Sequence, residues 1–596
     1  MIKDAQYRFD TFTDGKVLHN KKTGLLPAMG WNSWNAFGTG NNQELTKAMA
    51  DKFVELGLDK LGYQYIVLDD GCYKPQRVNG KLESEEIKFP DGFKSLGDYI
   101  HGKGLKFGMY NDIGVKLCSG LEVGTCGHEE EDAKSYIEWG IDFIKVDNCY
   151  YLWDNATFSD PANAKYVFAP NIKTVEIFKA SDTELSKPMR VYKAKDFKIT
   201  GERASLVEDY VTGIGTFDGT GPDRTPTGLQ SSEVHLYLDL SAGEYLIVIE
   251  YATGEEEGVG SFLQVAVEGS DETLYLYDDF VPSTDSKDSF IKSAPIAVSL
   301  KSGKNVLRIM NHRRQENTLG SYGILAQKLE EFKKDRPVLL SICEWGKTGP
   351  HNWGYKVGIS WRILNDITFQ VGADGDPGVG AWNSDYTTSI AVQYNKAVIM
   401  DEFAGLDRGW NDPDMMVIGM NGLNDIQNKT HMTMWCMMNS PLMLGMDLRR
   451  VKKGDSIWNI IANQKVIALN QDSLGIQAKR ICCRLDGKAI DNPDKEYVRA
   501  IGNRVDILAK PLLDGSFALA FINMDDKNAS KPISISKELV LEYIGDKLVD
   551  AAAVKVANRF TLTNLWDEAE IIVEDGHFGI GELEPCDSVV FKCKCE

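Results

Sequence analysis

The sequence predicts an α/β fold: a (β/α)8 TIM barrel with an inserted β-sandwich domain and a C-terminal antiparallel β-sandwich domain. Three observations predict it. Short apolar runs alternate with helical stretches through the first third of the chain, and again from about residue 329. That rhythm stops between about residues 190 and 325, where apolar residues recur with period two. A third pattern, of short strands and turns, begins near residue 477 and continues to the end. A chain of 596 residues also exceeds one ordinary core, so several domains are expected. The boundaries drawn from these changes are 1–185 and 329–476 for the two parts of the barrel, 186–328 for the insertion and 477–596 for the C-terminal domain.

In the barrel, residues 64–70, 105–110 and 141–147 are apolar runs of strand length. They are apolar throughout, as strands covered on both faces must be. Between them, Leu45, Ala48, Met49, Phe53 and Leu56 recur at helical spacing, as do Phe93, Leu96, Tyr99 and Ile100, and then Ala133, Tyr136 and Ile137. Strand and helix in repeated alternation imply right-handed βαβ units around a parallel sheet. The rhythm resumes at residues 329–332 and 338–344, which puts the insertion between the fourth and fifth strands.

The insertion reads as antiparallel strands at 233–240, 245–251, 262–267, 295–300 and 305–310, the last two joined by the turn Lys301-Ser-Gly-Lys304. In the C-terminal domain, residues 505–510 and 516–522 flank Asp514-Gly515, a strong hairpin signal, and strands follow at 569–573 and 588–592.

Composition excludes several function classes. Apolar residues make up 43% and charged residues 26%, the range of a soluble globular chain. No apolar run approaches the ~18–20 residues of a membrane span, so no membrane partner is expected. The opening Met1-Ile-Lys-Asp-Ala-Gln6 has no apolar signal region. The visible N-terminus thus points to the cytoplasm, and a secreted chain with its leader removed would start in the same way. A net charge of −21 would repel a phosphate backbone, so nucleic acid is not an expected partner. Eleven cysteines are too sparse for a disulfide scaffold. Neither Cys482-Cys483 nor Cys593-Lys-Cys595 has a second pair in zinc-like register, and the eight histidines are scattered, so a metallohydrolase is disfavoured. Asn155, Asn428 and Asn528 stand in Asn-x-Ser/Thr triplets, about what chance gives in such a chain.

The strand ends carry the chemistry. The apolar runs finish in Asp69-Asp70, Tyr110-Asn-Asp112, Lys145 with Asp147-Asn148, Glu344, and Arg362 to Asp366; a later loop carries Trp410-Asn-Asp-Pro-Asp414. In a barrel, strand C-termini converge on one mouth. One polar strand end is ordinary solvation; six in one barrel indicate a site. Lys145 and Asp147 stand two apart on a strand and share a face. A cation so placed lowers a carboxylate's pKa and keeps it ionised, as a nucleophile must be. The pair also fits a structural ion pair, and Asp366 fits a helix N-cap as well as a catalytic group.

Six motifs occur in order: Met29-Gly-Trp-Asn-Ser-Trp-Asn-Ala-Phe37, Leu68-Asp-Asp-Gly71, Lys145-Val-Asp-Asn-Cys149, Cys343-Glu-Trp-Gly346, Trp361-Arg-x3-Asp366-Ile and Trp410-Asn-Asp-Pro-Asp-Met415. This set resembles glycoside hydrolase family 27, the retaining α-galactosidases or melibiases, over about residues 24–155 and 330–475. The resemblance implies release of terminal α-linked galactose by double displacement, with an α-galactoside oligosaccharide or glycan as the partner and no cofactor or metal. It implies Asp147 as nucleophile and Asp366 as acid/base, the two carboxyls flanking the scissile bond. The implied sugar-binding set is Trp34, Asp69, Asp70, Tyr110, Lys145, Glu344, Arg362 and Asp414. In it, Asp69 and Asp70 would accept from the 6- and 4-hydroxyls, Glu344 and Arg362 would hold the 2-hydroxyl, and Trp34 would wall one sugar face. The family's disulfide beside the nucleophile maps to Cys118 and Cys149.

The chain departs from the family in three places. Gly38 and Thr39 stand where animal members carry the partner of the cysteine after Asp-Asp, so Cys72 is expected to be a free thiol. Gly346-Lys-Thr-Gly-Pro350 is not the animal pattern after Glu344. The insertion is absent from short members, and its Tyr192-Lys-Ala-Lys-Asp196 opening and the strand from Tyr245 to Tyr251 resemble carbohydrate-binding modules. Within the family, α-N-acetylgalactosaminidase is disfavoured because Glu344 fills the space of a 2-acetamido group, and β-L-arabinopyranosidase because Asp69 is retained. A non-catalytic galactose-binding lectin on the same scaffold would be expected to have lost one of the two catalytic carboxylates, and both are present.

Overall fold

The structure, a computed structural model, describes residues 25–150, 167–200, 204–215, 232–253, 260–269, 273–311, 313–333, 337–384 and 388–596. The N-terminal hexapeptide and the Asn155 triplet lie outside them.

The barrel strands are β1 (Met29–Asn32), β2 (Tyr65–Val67), β3 (Lys106–Asp112), β4 (Phe143–Asp147), β5 (Leu339–Cys343), β6 (Ser360–Arg362), β7 (Trp410–Asp412) and β8 (Leu442–Leu444). From β1 to β7 each pairs in parallel with the next, and β8 pairs in parallel with β1. The seam between β7 and β8 is bridged by Met416, whose N–H donates to Met443 O at 2.7 Å and whose carbonyl accepts from Gly445 N–H at 3.0 Å. The parallel strands lie close: a Cβ on Gly30 would sit 2.3 Å from Tyr65 O, so only glycine fits there.

The helices follow from the same local chemistry. In the helix Gln43–Leu56, Asn42 caps the start by accepting from Leu45 N–H, and Gly57 at φ 74° ends it in the left-handed region. Leu45, Met49, Phe53 and Leu56 form its buried face. The helix Glu129–Trp139 opens on four acidic residues, which suits the positive end of its dipole, and stops at Gly140.

The insertion is wider at its start than the boundary at 186. Strand Asn171–Lys179 pairs antiparallel with Gly243–Ala252, and Ile172, Val175 and Ile177 belong to the insertion's own core. Two sheets, antiparallel apart from the short strand Val167–Phe168, share that core, with Ile247 and Ile249 from one meeting Leu263, Val265, Leu307 and Ile309 from the other. At its far end the boundary moves back from 328. Helix Arg313–Phe332 packs on Glu129–Trp139, and Leu319, Tyr322, Leu325, Ala326 and Leu329 are buried in the barrel core. The tyrosines of the two segments that resemble carbohydrate-binding modules are packing residues. Tyr245 and Tyr251 are buried, with hydroxyls donating to Ser241 O and Pro282 O, and Tyr192 packs against the same core.

The C-terminal domain is a seven-stranded antiparallel sheet with a two-stranded sheet and two short helices, Lys537–Ile544 and Ala551–Val556. One face of the large sheet carries its own core around Phe517, Phe521, Phe560 and Phe578. The other face, through Leu508, Ala518, Ala520 and Ile522, is continuous with the barrel core. Behind that contact Asp506 is fully buried between Arg504 and Arg480 and accepts from Tyr394 of the barrel at 3.0 Å. Among the described residues, no helix is long and apolar enough to cross a membrane.

Candidate active site

The strand ends meet in one mouth. Asp147, the last residue of β4, is 5% exposed; its Oδ1 accepts from Asn148 N–H at 2.9 Å and its Oδ2 from the Tyr110 hydroxyl at 3.3 Å. Burial pushes its carboxyl up to about 6; Lys145 pulls it down and the charge of Asp366 pushes it up. The sequence expectation was a carboxyl lowered by its lysine. The lysine acts in the expected direction, and burial outweighs it.

Lys145 is not an ion-pair partner of Asp147. Its Nζ donates to Asp69 Oδ2 at 2.8 Å and lies 5.5 Å from the centre of the Tyr110 ring. Asp69 also accepts from Asn32 Nδ2 at 2.8 Å, and Asn32 Oδ1 accepts from Trp34 N–H at 2.9 Å. One asparagine at the end of β1 thereby sets both Trp34 and Asp69. Asp70 accepts from the N–H and the hydroxyl of Ser119 at 2.7 and 2.8 Å, and burial first of all lifts its carboxyl to about 6.

Opposite, Arg362 is buried at the end of β6 and reaches Asp366 Oδ1 at 3.1 Å and Asp414 Oδ2 at 3.0 Å. No helix starts at Asp366; the next begins at Ile390, so the N-cap reading falls away. The Asp366 side chain is 37% exposed, against a nearly sealed Asp147. Asp414 has φ 78°, which an aspartate tolerates because its carboxylate accepts from the next N–H, here Met415 at 2.7 Å. Glu344 is fully buried, and its Oε2 accepts from Thr348 N–H at 2.8 Å and Thr348 Oγ1 at 2.7 Å. The unfamiliar Gly346–Pro350 segment therefore supplies the clamp on Glu344.

Cys118 and Cys149 are disulfide-bonded, joining the loop after β3 to the residue two past Asp147. Cys72 is a buried free cysteine. Where a second disulfide would tie Thr39 to the Asp-Asp turn, Lys88 does so instead, donating to Thr39 O at 2.8 Å and Gly71 O at 2.9 Å. Gly71 is required at that approach: at φ 92°, its Cβ would meet Thr39 Cβ at 2.7 Å.

Asp112 is a residue the sequence reading passed over as one more polar strand end. It lies directly across from Asp147 in the β3–β4 register, is fully buried, and accepts from Cys149 N–H at 2.7 Å and Gly114 N–H at 2.6 Å. Burial and then the charge of Asp147 push its carboxyl well up. The signal for it was the cross-strand register, which spacing along the chain does not reveal. Asp112, Asp147, Cys118 and Cys149 also bring four metal-type ligand atoms within 4.8 Å of one another, but the two sulfurs are bonded to each other.

The family model described as alpha galactosidase A matches residues 26–166 and 355–472. Alpha-galactosidase A of Cellvibrio japonicus is 26% identical over 505 residues, 84% of this chain and 76% of that protein. Alpha-galactosidase of Cyamopsis tetragonoloba is 26% identical over 522 residues, 87% of this chain and 78% of that protein. Two solved structures share the fold: alpha-galactosidase of Saccharomyces cerevisiae (TM-score 0.59, 20% identity, 97% of this chain and 99% of that one) and alpha-galactosidase I of Mortierella vinacea (TM-score 0.58, 21% identity, 97% and 99%). With the six motifs in order on one barrel mouth, the barrel segments are thus similar to the alpha-galactosidases that this family model describes.

Proposed function

We propose that the chain is an exo-acting retaining α-galactosidase that removes terminal α-linked galactose from oligosaccharides or glycans. The observation that carries this reading is that β4 and β6 of one parallel barrel bring Asp147 and the Arg362–Asp366 pair to the same mouth. In the first step Asp147 attacks the anomeric carbon while Asp366 protonates the departing oxygen; in the second, Asp366 takes a proton from water, which releases galactose from Asp147. Their exposures suit these roles. A sealed nucleophile is kept from bulk water, and an open acid/base regains its proton from solvent. Asp69 and Asp70, held by Lys145, Asn32 and Ser119, offer fixed acceptors to the 6- and 4-hydroxyls. Glu344 and Arg362 take the 2-hydroxyl, whose contacts strengthen towards the oxocarbenium-like transition state.

The test is turnover of p-nitrophenyl α-galactoside with the first-formed sugar followed by NMR. The reading requires α-galactose as that product. Azide rescue then separates the roles: Asp147→Gly with azide should yield the β-galactosyl azide and Asp366→Gly the α-azide. β-galactose as first product would exclude double displacement, and faster turnover of a β-L-arabinopyranoside would remove the galactose assignment.

A further inference from the structure

The stretch that follows Asp366 has a side chain that the site described so far does not use. Ile367 and Thr368 are buried, but Phe369 between them and the next turn is 59% exposed. Among the described residues of the barrel it is the only aromatic side chain left open to that degree. An exposed phenylalanine on a loose loop would need no explanation. This one is held in place. Ile367 N–H donates to Asp414 Oδ2 at 2.8 Å. Gln370 and Val379 exchange backbone hydrogen bonds of 3.0 and 2.8 Å. Gly372 N–H donates to Asn35 O at 2.9 Å, and a Cβ on Gly372 would stand 2.6 Å from Ala36 O. The segment thus runs from Asp366 to the turn that bears Trp34, fixed at three points, with one ring facing water.

We infer that Phe369 is the platform of the leaving-group subsite, on which the sugar ring released from galactose stacks. The inference rests on the proposed α-galactosidase reading. An acid/base donates its proton to the glycosidic oxygen, so the leaving group lies on the side of Asp366, and Phe369 is three residues further along the same pinned stretch. Pyranoses such as glucose present a face of axial C–H bonds, which packs on an aromatic face and removes apolar surface of both from water. The subsite so built takes a neutral pyranose.

Three measurements on Phe369→Ala and Phe369→Trp test this. kcat/KM is determined for a galactose-α-1,6-glucose disaccharide, whose leaving group is a pyranose, and for α-galactosyl fluoride, whose leaving group cannot stack. The alanine variant should lose roughly five- to tenfold on the disaccharide and stay within about twofold of wild type on the fluoride. The tryptophan variant should keep disaccharide activity. Equal losses on both substrates, or none on the disaccharide, overturn the platform while leaving the hydrolase reading intact. A wild-type enzyme inert towards both substrates sinks the α-galactosidase reading and the platform with it.

Discussion

Lys145 Nζ bonds to Asp69, 76 residues away in the chain, and not to Asp147, two residues along its own strand. The lysine is thereby shared: it neutralises the buried Asp69 carboxylate by contact and lowers the Asp147 carboxyl through space.

Lys145→Met should therefore change the pH profile as well as binding. On the proposed mechanism Asp147 attacks only when ionised, so kcat/KM of the native enzyme is expected to fall below about pH 6. Losing the cation removes an influence that lowers the Asp147 carboxyl, which moves the acidic limb to higher pH by about one unit. A pH–rate profile of the variant with an unshifted limb would show that Lys145 acts through Asp69 alone.

The Cys118–Cys149 bond closes a loop with a sequence separation of 31. Constraint of the unfolded chain by such a loop is worth about 3–4 kcal/mol. The double variant Cys118→Ser/Cys149→Ser should lower the denaturation midpoint accordingly, read by chemical unfolding. Wild-type protein should respond to dithiothreitol in the same direction.

Thr348 donates both its N–H and its hydroxyl to one oxygen of Glu344. Thr348→Val removes one charge-assisted bond to a buried carboxylate, about 1.5–3 kcal/mol, and so roughly ten- to a hundredfold in kcat/KM. A 2-deoxygalactoside, which offers Glu344 no hydroxyl, should feel the substitution less than the galactoside does.

Asp506 sits between two arginines at the junction of the C-terminal domain and the barrel, and they hold its carboxyl well below the usual range despite its burial. A carboxyl depressed in the folded state stabilises above its unfolded value, about 3.9, and that contribution is lost as the pH falls towards the folded value. Asp506→Asn leaves Arg504 and Arg480 buried without their counter-charge and should cost about 3–5 kcal/mol near neutral pH. The difference from wild type, measured by urea unfolding, should shrink as the solution is acidified below about pH 4.

The barrel was legible because its strands are apolar on both faces and end in polar residues, a pattern that survives in one dimension. The insertion's first strand was not. Its pairing with Gly243–Ala252 shifts register between Glu250 and Tyr251, so the inward residues Ile172, Val175 and Ile177 are spaced by three and then by two. A bulge of that kind breaks the alternation by which a strand is recognised. Helix Arg313–Phe332 was placed too late for a different reason: helical periodicity begins inside a stretch bounded by strands on both sides, and only the contact of Leu319 and Tyr322 with the barrel core assigns it. In the site, Lys145, Asp147 and Arg362 stand at the ends of apolar runs and Asp414 in a loop motif, positions that spacing along the chain makes visible. Asp112, Asn32 and Thr348 act on other residues across strands or loops, and such partnerships have no signature in spacing.

Asp414 is both the carboxylate beside Arg362 and, with φ 78°, the bend that leads β7 to the bridge at Met416. The last seam of the ring and the carboxylate that holds Arg362 are thus made by a single turn of backbone. During refolding, a chain whose ring is still open at β7 and β8 has no finished pocket, so recovery of catalysis marks ring closure and lags any signal that follows the first strands alone.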